Sequence, residues 1–590
     1  MTSTPLGSED DCLFGTVREK IFQRIYNLRI SFPEEDIVLH ANDVKSCFRQ
    51  VKLHPDIMGA FSYIIANQLF LSCGLPFGTD FSPQNWEPLR QILEILAEKL
   101  FDDESLLIKH KKYLDQLVFD RSLSSRGTKR RKRTFTRAVA DAINKGVLDE
   151  NGNMKPTPHG YYVDDGVYAE LFRLLRIQRA VAASIEAIFI LLGESDLQLR
   201  QDPVSFDKVI EMMISYMNRI LGHIINTRTL TVGVPDDFTA TVLRSLRCTW
   251  GDHRRSFTAH QAAELNGQLN HIANTAPWLK FLMLQVQASL AAALHLNEKE
   301  LKRTSKSFRI ALNKARHLPV DEQSSGEKTF YQGETARQIH RSPKTHFINT
   351  TLREELNLIR ATLEDGDIPN HCPIAHLIPK VQMAWARCDS SLDAAGGYCP
   401  KLKFWWYIEW PDEVRRRTLR YIKNGKDGKL LDINVLEYAA ILITYLISCH
   451  LIRERNMLNI DPHPTMLIGG DNSCSESWSK KGAKHSVVGR ALGRLQCAIM
   501  LNNDINLEVE HISTVANNVA DDISRIDSEQ KLAHLFLLLQ QKHEELRGCR
   551  RFHLSSSLVS IIMEVLLQGE CKNPLALNKQ LRSDPGRITS

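Results

Sequence analysis

A chain of 590 residues has room for about four domains of ordinary size. Its 43% hydrophobic and 24% charged content is ordinary for a soluble globular protein, and a net charge of +6 admits a polyanionic partner without requiring one. Twelve cysteines without a Cys-x-x-Cys pair exclude a zinc ribbon and a secreted disulfide framework, so reduced thiols inside the cell, in cytoplasm or nucleus, are expected.

The N-terminal stretch Ser8-Glu9-Asp10-Asp11 is polar and acidic and shows no signal peptide. Helical sequence runs near Val17 to Ile30. Ile37-Val38-Leu39-His40-Ala41 is a short apolar run that reads as a buried strand ending at Asn42-Asp43. Ser46, Cys47 and Phe48 follow directly, and Phe61 to Ile65 predicts another strand. The turn-rich segment from Leu75 to Pro83, with Phe77-Gly78 inside it, leads into a helix near Trp86 to Leu100. Arg126 to Arg133 is a basic run: a solvated loop, a nucleic-acid contact, or a nuclear localisation signal over Lys129 to Arg133. A solvated insertion touching nucleic acid non-specifically is the reading kept.

Gly160-Tyr161-Tyr162-Val163-Asp164-Asp165-Gly166-Val167-Tyr168-Ala169 predicts two short strands joined by a tight turn, with Asp165-Gly166 as the turn signal. Adjacent carboxylates at a hairpin tip repel each other. They persist cheaply only when solvated or shared with a cation, for which a hard divalent ion completed by substrate phosphates is suited. Alone, the stretch reads equally well as a polar surface turn. Tyr216 to Ile225 contains Leu221-Gly222, and helical sequence opens at Val234-Pro235-Asp236-Asp237. A helix is expected near Asn297 to Arg316. Its Lys299, Lys302, Arg303, Lys306 and Arg309 recur every three or four residues, mostly on one face. That face suits phosphate contact, and equally a solvated surface. Polar residues 319 to 348 read as a linker or flexible loop.

The second half carries another acidic set. Asp389 follows the loosely alternating Val381 to Arg387, and Phe404 to Tyr407 predicts a strand. Ile433 to Ala440 opens a helix with one carboxylate, Glu437, on an otherwise apolar face, which is costly unless a cation or partner meets it. Tyr438 to Ile452, the longest apolar run, is too short to span a bilayer comfortably and reads as a buried helix, so no membrane is expected. Thr465 to Gly470 is a strand ending at Asp471, Leu507 to His511 another, and Asn517 to Arg525, containing Asp521, a short helix. Lys480, Lys481, Lys484, Arg490 and Arg494 form a basic zone after Asp471, and a leucine-rich helix and polar tail follow from about 531.

The ordered set resembles the palm motifs of reverse transcriptases: Asp-x-x-x-x-aromatic at Asp43 to Phe48, Leu-Pro-Phe-Gly with Ser-Pro behind it, then Tyr-Val-Asp-Asp. The resemblance implies that Asp43, Asp164 and Asp165 hold two Mg²⁺ (or Mn²⁺) ions. Ser46 and Cys47 would offer backbone N–H groups to the triphosphate, and Phe48 would act as the gate against a ribose 2′-OH. Phe77 and Gly78 would face the incoming nucleotide, Leu221-Gly222 would grip the primer end, and Ala262 to His271 would be a thumb helix. The later motifs, Ile-Asn-x-x-Glu, Asp-Asn and Asn-x-x-Ala-Asp-x-x-Ser-Arg, resemble the ribonuclease H of retrotransposons. They imply Asp389, Glu437, Asp471 and Asp521 as a second metal set, with Asp393 and Asp522 as neighbouring alternatives, and a hybrid backbone lying along Lys480, Lys481 and Lys484.

The implied fold is an α+β right-hand polymerase palm with a helical thumb, followed by an α/β ribonuclease H-like domain with a mixed sheet. The expected organisation is truncated fingers and palm over 1–235, with a basic insertion about 101–155, thumb 236–318, connection 319–377, ribonuclease H-like domain 378–530 and a helical tail 531–590. The implied function is that of a retrotransposon reverse transcriptase with ribonuclease H, a gypsy-like or DIRS-like polyprotein fragment. Its partners would be RNA template, DNA primer, RNA–DNA hybrid and dNTPs. Only 42 residues precede Asp43, so most of the fingers look missing. The alternative is a decayed or repurposed retroelement product that binds nucleic acid without polymerising.

Overall fold

The computed structural model describes residues 16–58, 63–65, 68–75, 81–123, 146–194, 202–317, 322–365, 371–379, 381–424, 431–459, 461–484, 486–501, 504–526, 532–571, 573–583 and 585–588. Phe77, Gly78 and the basic run Arg126 to Arg133, including Lys129 to Arg133, lie outside them. The chain divides into two compact units, Met1–Pro235 with Pro373–Pro379, and Asp236–Cys372 with Lys380–Ser590.

In the first unit a three-stranded antiparallel sheet has Asp165–Leu171 at its centre, flanked by Ile37–Asp43 and His159–Tyr162. Ile37, Val38 and Leu39 are all buried, which is why the strand reads as an unbroken apolar run. Val38, Tyr161 and Tyr168 share a core with Trp86 and Leu93 of the Phe81–Leu100 helix and Ile177, Val181 and Ile185 of the Leu174–Leu192 helix. The Thr16–Ser31 helix also packs against the hairpin strands: a Cβ on Gly160 would stand 2.8 Å from Val17 Cγ1.

The hairpin turn is Val163-Asp164, not the expected Asp165-Gly166, because Asp165 and Gly166 already sit in the ladder opposite Asp43 and Asn42. Gly166 serves close approach instead. A Cβ there would lie 1.9 Å from Asn42 Oδ1 and 2.5 Å from the Tyr161 ring. Val163 takes the left-handed conformation (φ 56), which costs a β-branched residue about 1–2 kcal/mol. The Trp86 indole N–H donates to the Val163 carbonyl (2.6 Å) and Val44 N–H to the Asp164 carbonyl (2.9 Å), pinning the turn from both sides. A second hairpin, Met217–Ile220 with His223–Asn226, closes on Leu221 (φ 50) and Gly222 (φ 78). Two successive positive φ values are the signature of a type I′ turn.

The second unit begins with helices, among them Asp236–Cys248, Ala259–Ala273, Leu284–Thr304 and Lys306–His317. The single basic helix expected near Asn297 to Arg316 is two helices parted at Ser305, whose hydroxyl accepts the Phe308 N–H (3.1 Å) and so starts the second. Lys299, Lys302 and Arg303 therefore belong to one helix and Lys306 and Arg309 to the next, and no single basic face unites them. The stretch read as a linker contains the Glu322–His340 helix, and the rest of the expected connection contains the Thr350–Glu364 helix. Its polar surface concealed an amphipathic stripe, Leu352, Leu356, Ile359 and Leu363, all buried.

A seven-stranded mixed sheet follows, in the order Asn506–His511, Thr465–Gly470, Ala384–Ser390, Ala394–Cys399, Phe404–Glu409, Arg550–Leu554, Gly586–Ile588. The region expected as a helical tail thus supplies two of its strands, anchored by the buried Phe552. The Ile433–Glu454 helix has 22 residues and is long and apolar enough to cross a membrane, against the expectation from its apolar run. Yet 94% of its most apolar window is buried within the protein, where Leu436, Tyr438 and Tyr445 pack against the sheet core.

Gly166→Ala is expected to destabilise the first unit by about 1–3 kcal/mol through overpacking. Hydrogen exchange of the 159–171 hairpin should rise accordingly; unchanged protection would contradict the close-approach account.

Candidate active sites

Backbone register builds the first site. Asp43 ends its strand opposite Asp165, and Asp164 occupies the turn beside them. One carboxylate oxygen from each lies within 4.8 Å of the others. Asp43 is buried and the other two half-buried. Burial, then the neighbouring Asp164 and Asp43, pushes the Asp165 carboxyl up to about 6, and burial likewise raises Asp164. The Lys208 ammonium lies 2.7 Å from Asp43 Oδ1 and is raised chiefly by that hydrogen bond. A cleft of about 420 Å³ opens here, lined among others by Asn42, Asp43, Asp165, Lys208, Arg219 and Leu221. Leu221 therefore faces the space beside the acids.

Ser46, in left-handed conformation (φ 54), precedes the short Cys47–Gln50 helix, in which Cys47 and Phe48 are buried. Phe48 belongs to the apolar core with Leu75 and Trp86. The Cys47 thiol is pushed up to about 12 by burial and then by Asp164, which puts it beside the acidic turn.

The second site rests on parallel pairing. Ala384–Ser390 and Thr465–Gly470 run side by side, so Asp389 and Asp471 emerge at the same sheet end. Glu437, in the first turns of the Ile433–Glu454 helix, meets them, with one oxygen from each of the three within 4.8 Å. Burial, then Asp389 and Asp471, raises Glu437 well above the carboxylate range, and burial pushes Asp389 up to about 6. The first turns are aligned by Asn472. Its side chain donates to Asn434 Oδ1 (2.8 Å) and caps the Ser473–Lys481 helix.

Asp521 lies on the Asn518–Ser524 helix, outside the tight trio. It is close enough to act electrostatically on Asp389 and Glu437, and it pairs with Arg525 (2.7 Å). Asp522 turns away to Lys542 and His543, and Asp393 is exposed toward Arg415. His511 approaches the Asp471 carbonyl (3.2 Å) through Nε2.

The basic residues are less available than their sequence implied. Lys302 pairs with Glu298 (2.5 Å), Arg303 with Glu300 (2.9 Å) and Lys480 with Glu476 (2.5 Å). Lys299, Lys306, Lys481 and Lys484 are exposed.

Sequence reasoning missed Lys208, which no motif marked. It read Ser524 and Arg525 as the end of a motif but gave them no role, although their offsets of three and four residues from Asp521 put them within reach of it on a helix.

No protein-family model matches this chain, and no curated protein does. Similar solved structures include the foamy viral protease-reverse transcriptase in complex with dsDNA (11% identity, TM-score 0.27, covering 80% of this chain and 67% of that one). Its dRH form in complex with ds DNA is 9% identical at TM-score 0.26, covering 81% and 57%. The form in complex with RNA/DNA hybrid is 12% identical at TM-score 0.24, covering 82% and 66%. The chain thus spans between 57% and 67% of the length of these structures. A likeness at these scores is too distant to define the fold, which stands on the chain's own sheets.

Both units should lose stability as pH rises in EDTA. Asp165 and Asp389 are raised to about 6 in the fold, so their contribution is present below the ordinary value near 4 and lost as pH rises through about 6. Excess Mg²⁺ should remove this fall. Denaturant midpoints from pH 4 to 8, with and without Mg²⁺, check it.

Proposed function

We propose that the chain is an RNA-directed DNA polymerase coupled to a ribonuclease H-type nuclease, derived from a retroelement, with two divalent ions at each site. The observation that carries this reading is the pair of carboxylate trios, one in each unit, each built around two acids at paired strand ends. The donor sets fit the group. They are all-oxygen and anionic, three carboxylates with one oxygen each within 4.8 Å of the others, as suits Mg²⁺ or Mn²⁺.

In the first unit Asp43, Asp164 and Asp165 would hold the ions. The cleft beside them, with Leu221 at its wall, would seat the primer end, gripped by the Leu221-Gly222 turn. Phe48, rigid within the core, would limit the room at the sugar. Ser46 and Cys47 would turn backbone N–H groups to the triphosphate. Phe77 and Gly78, outside the described residues, would face the incoming nucleotide as their motif implies. In the second unit Asp389, Glu437 and Asp471 would hold ions against the scissile phosphate, with Asp521 adding charge from its helix. Bound divalent ions would lower the pKa of the attacking group and stabilise the charge that develops on phosphate. Lys299, Lys306, Lys481 and Lys484 remain candidates for backbone contact, since exposed ammonium groups release counterions on binding. RNA template, DNA primer, hybrid and dNTPs are the partners of this reading, and cytoplasm or nucleus its place.

The experiment is a pair of single substitutions assayed for both activities. Asp471→Asn should reduce Mg²⁺-dependent cleavage of RNA in a hybrid by about 100-fold or more, since metal-held charge stabilisation is worth several kcal/mol, and leave primer extension intact. Asp164→Asn should do the reverse. Hybrid cleavage at wild-type rate in Asp471→Asn would overturn the second site, and extension at wild-type rate in Asp164→Asn the first.

A further inference from the structure

The motif from Asn517 to Arg525 contributes more than Asp521. Ser524 is fully buried, and its hydroxyl donates to Asp389 Oδ2. The Asp521 carbonyl oxygen also lies within reach of that hydroxyl, at 3.0 Å. A hydroxyl has one proton, and the charged acceptor makes the stronger bond, so the proton goes to Asp389.

The helix that carries Ser524 is itself tied to the Asp389 strand. Asn517 donates to the buried Cys388 carbonyl (3.2 Å), and the Ser391 hydroxyl donates to the Ser524 carbonyl (2.9 Å). Ile523 seals the contact, for a Cβ on Gly396 would stand 2.4 Å from its Cγ2. Ser524 therefore cannot drift from Asp389 without breaking several buried contacts. Arg525, one residue on, sits on Asp521 through its 2.7 Å ion pair. The helix presents one donor to each of two acids.

We propose that Ser524 is a positioning residue of the second site: its hydroxyl fixes the rotamer of Asp389, so that the carboxylate's other oxygen is held toward Glu437 and Asp471 for a divalent ion. A carboxylate with one oxygen tied by a buried donor loses little rotational freedom on binding metal. Partners of this kind outside the ligand set are worth about 10–100-fold in metal affinity. The inference rests on the nuclease reading of this site.

The test is calorimetric titration of the full chain with Mn²⁺, in an Asp164→Asn, Asp165→Asn background that silences the first site. Ser524→Ala should weaken Mn²⁺ binding by about 10-fold or more. Ser524→Cys, which keeps the volume but is a weak donor, should also weaken it and serves if the alanine variant does not fold. Asn517→Ala cuts one tether and leaves the Ser391 hydrogen bond and the Ile523 contact that hold Ser524 on Asp389. It should lower the thermal midpoint yet keep Mn²⁺ affinity within about 3-fold, well short of the 10-fold loss. Binding unchanged in both Ser524 variants would overturn the proposal while leaving the nuclease reading intact. Equal weakening in Asn517→Ala would show that Ser524 matters only through stability. A background protein that binds no Mn²⁺, with or without Asp389→Asn, would overturn the nuclease reading itself.

Discussion

Like charges forced together by backbone register are the constraint on which both units turn. Neighbouring strands lie about 4.7–4.9 Å apart, so acids at paired strand ends meet whether or not they attract. Asp43 faces Asp165 across an antiparallel ladder, and Asp389 stands beside Asp471 at the end of a parallel one. Neither pair can separate without shifting a strand that carries fully buried apolar residues, Val38 and Leu39 in one unit and Met466 and Ile468 in the other. A buried carboxylate need not mark a site: Glu355, pushed up to about 8 by burial, accepts the Gln285 and Val286 N–H groups and so caps a helix. The two trios differ in having three acids and too little positive charge.

The units answer that repulsion differently. In the first, the counter-charge comes from a surface residue: the Lys208 side chain is 61% exposed and only its tip reaches Asp43. The arrangement stays open toward the cleft. In the second, the answer is built in. Asp389 is tied by the buried Ser524 and Glu437 lies on a helix buried along most of its length, while Asp521 meets the exposed Arg525. A flexible lysine gives way to an incoming cation easily, whereas the buried Ser524 hydroxyl sets the geometry of Asp389 beforehand.

Much of this was legible in the sequence. Strands with both faces covered read as plain apolar runs, which is how Ile37 to Ala41 and Thr465 to Gly470 were found. Glu437 stood out as one acid in an apolar helix. The rest depended on contacts distant in the chain. Asp165-Gly166 looked like a turn because the approach of Asn42, over a hundred positions earlier in the chain, cannot be seen locally. The Thr350–Glu364 helix was hidden by its polar neighbourhood, and the last strands by a sheet edge that exists only after folding. Lys208 and Ser524 acquire meaning only from the side chain each one touches.

The central claim is that each trio holds divalent ions. The most direct measurement is anomalous diffraction from crystals soaked in Mn²⁺. The account predicts peaks at Asp43, Asp164 and Asp165 and at Asp389, Glu437 and Asp471, in pairs about 3.5–4 Å apart where both ions bind. Well-diffracting crystals with no Mn²⁺ at either trio would contradict it.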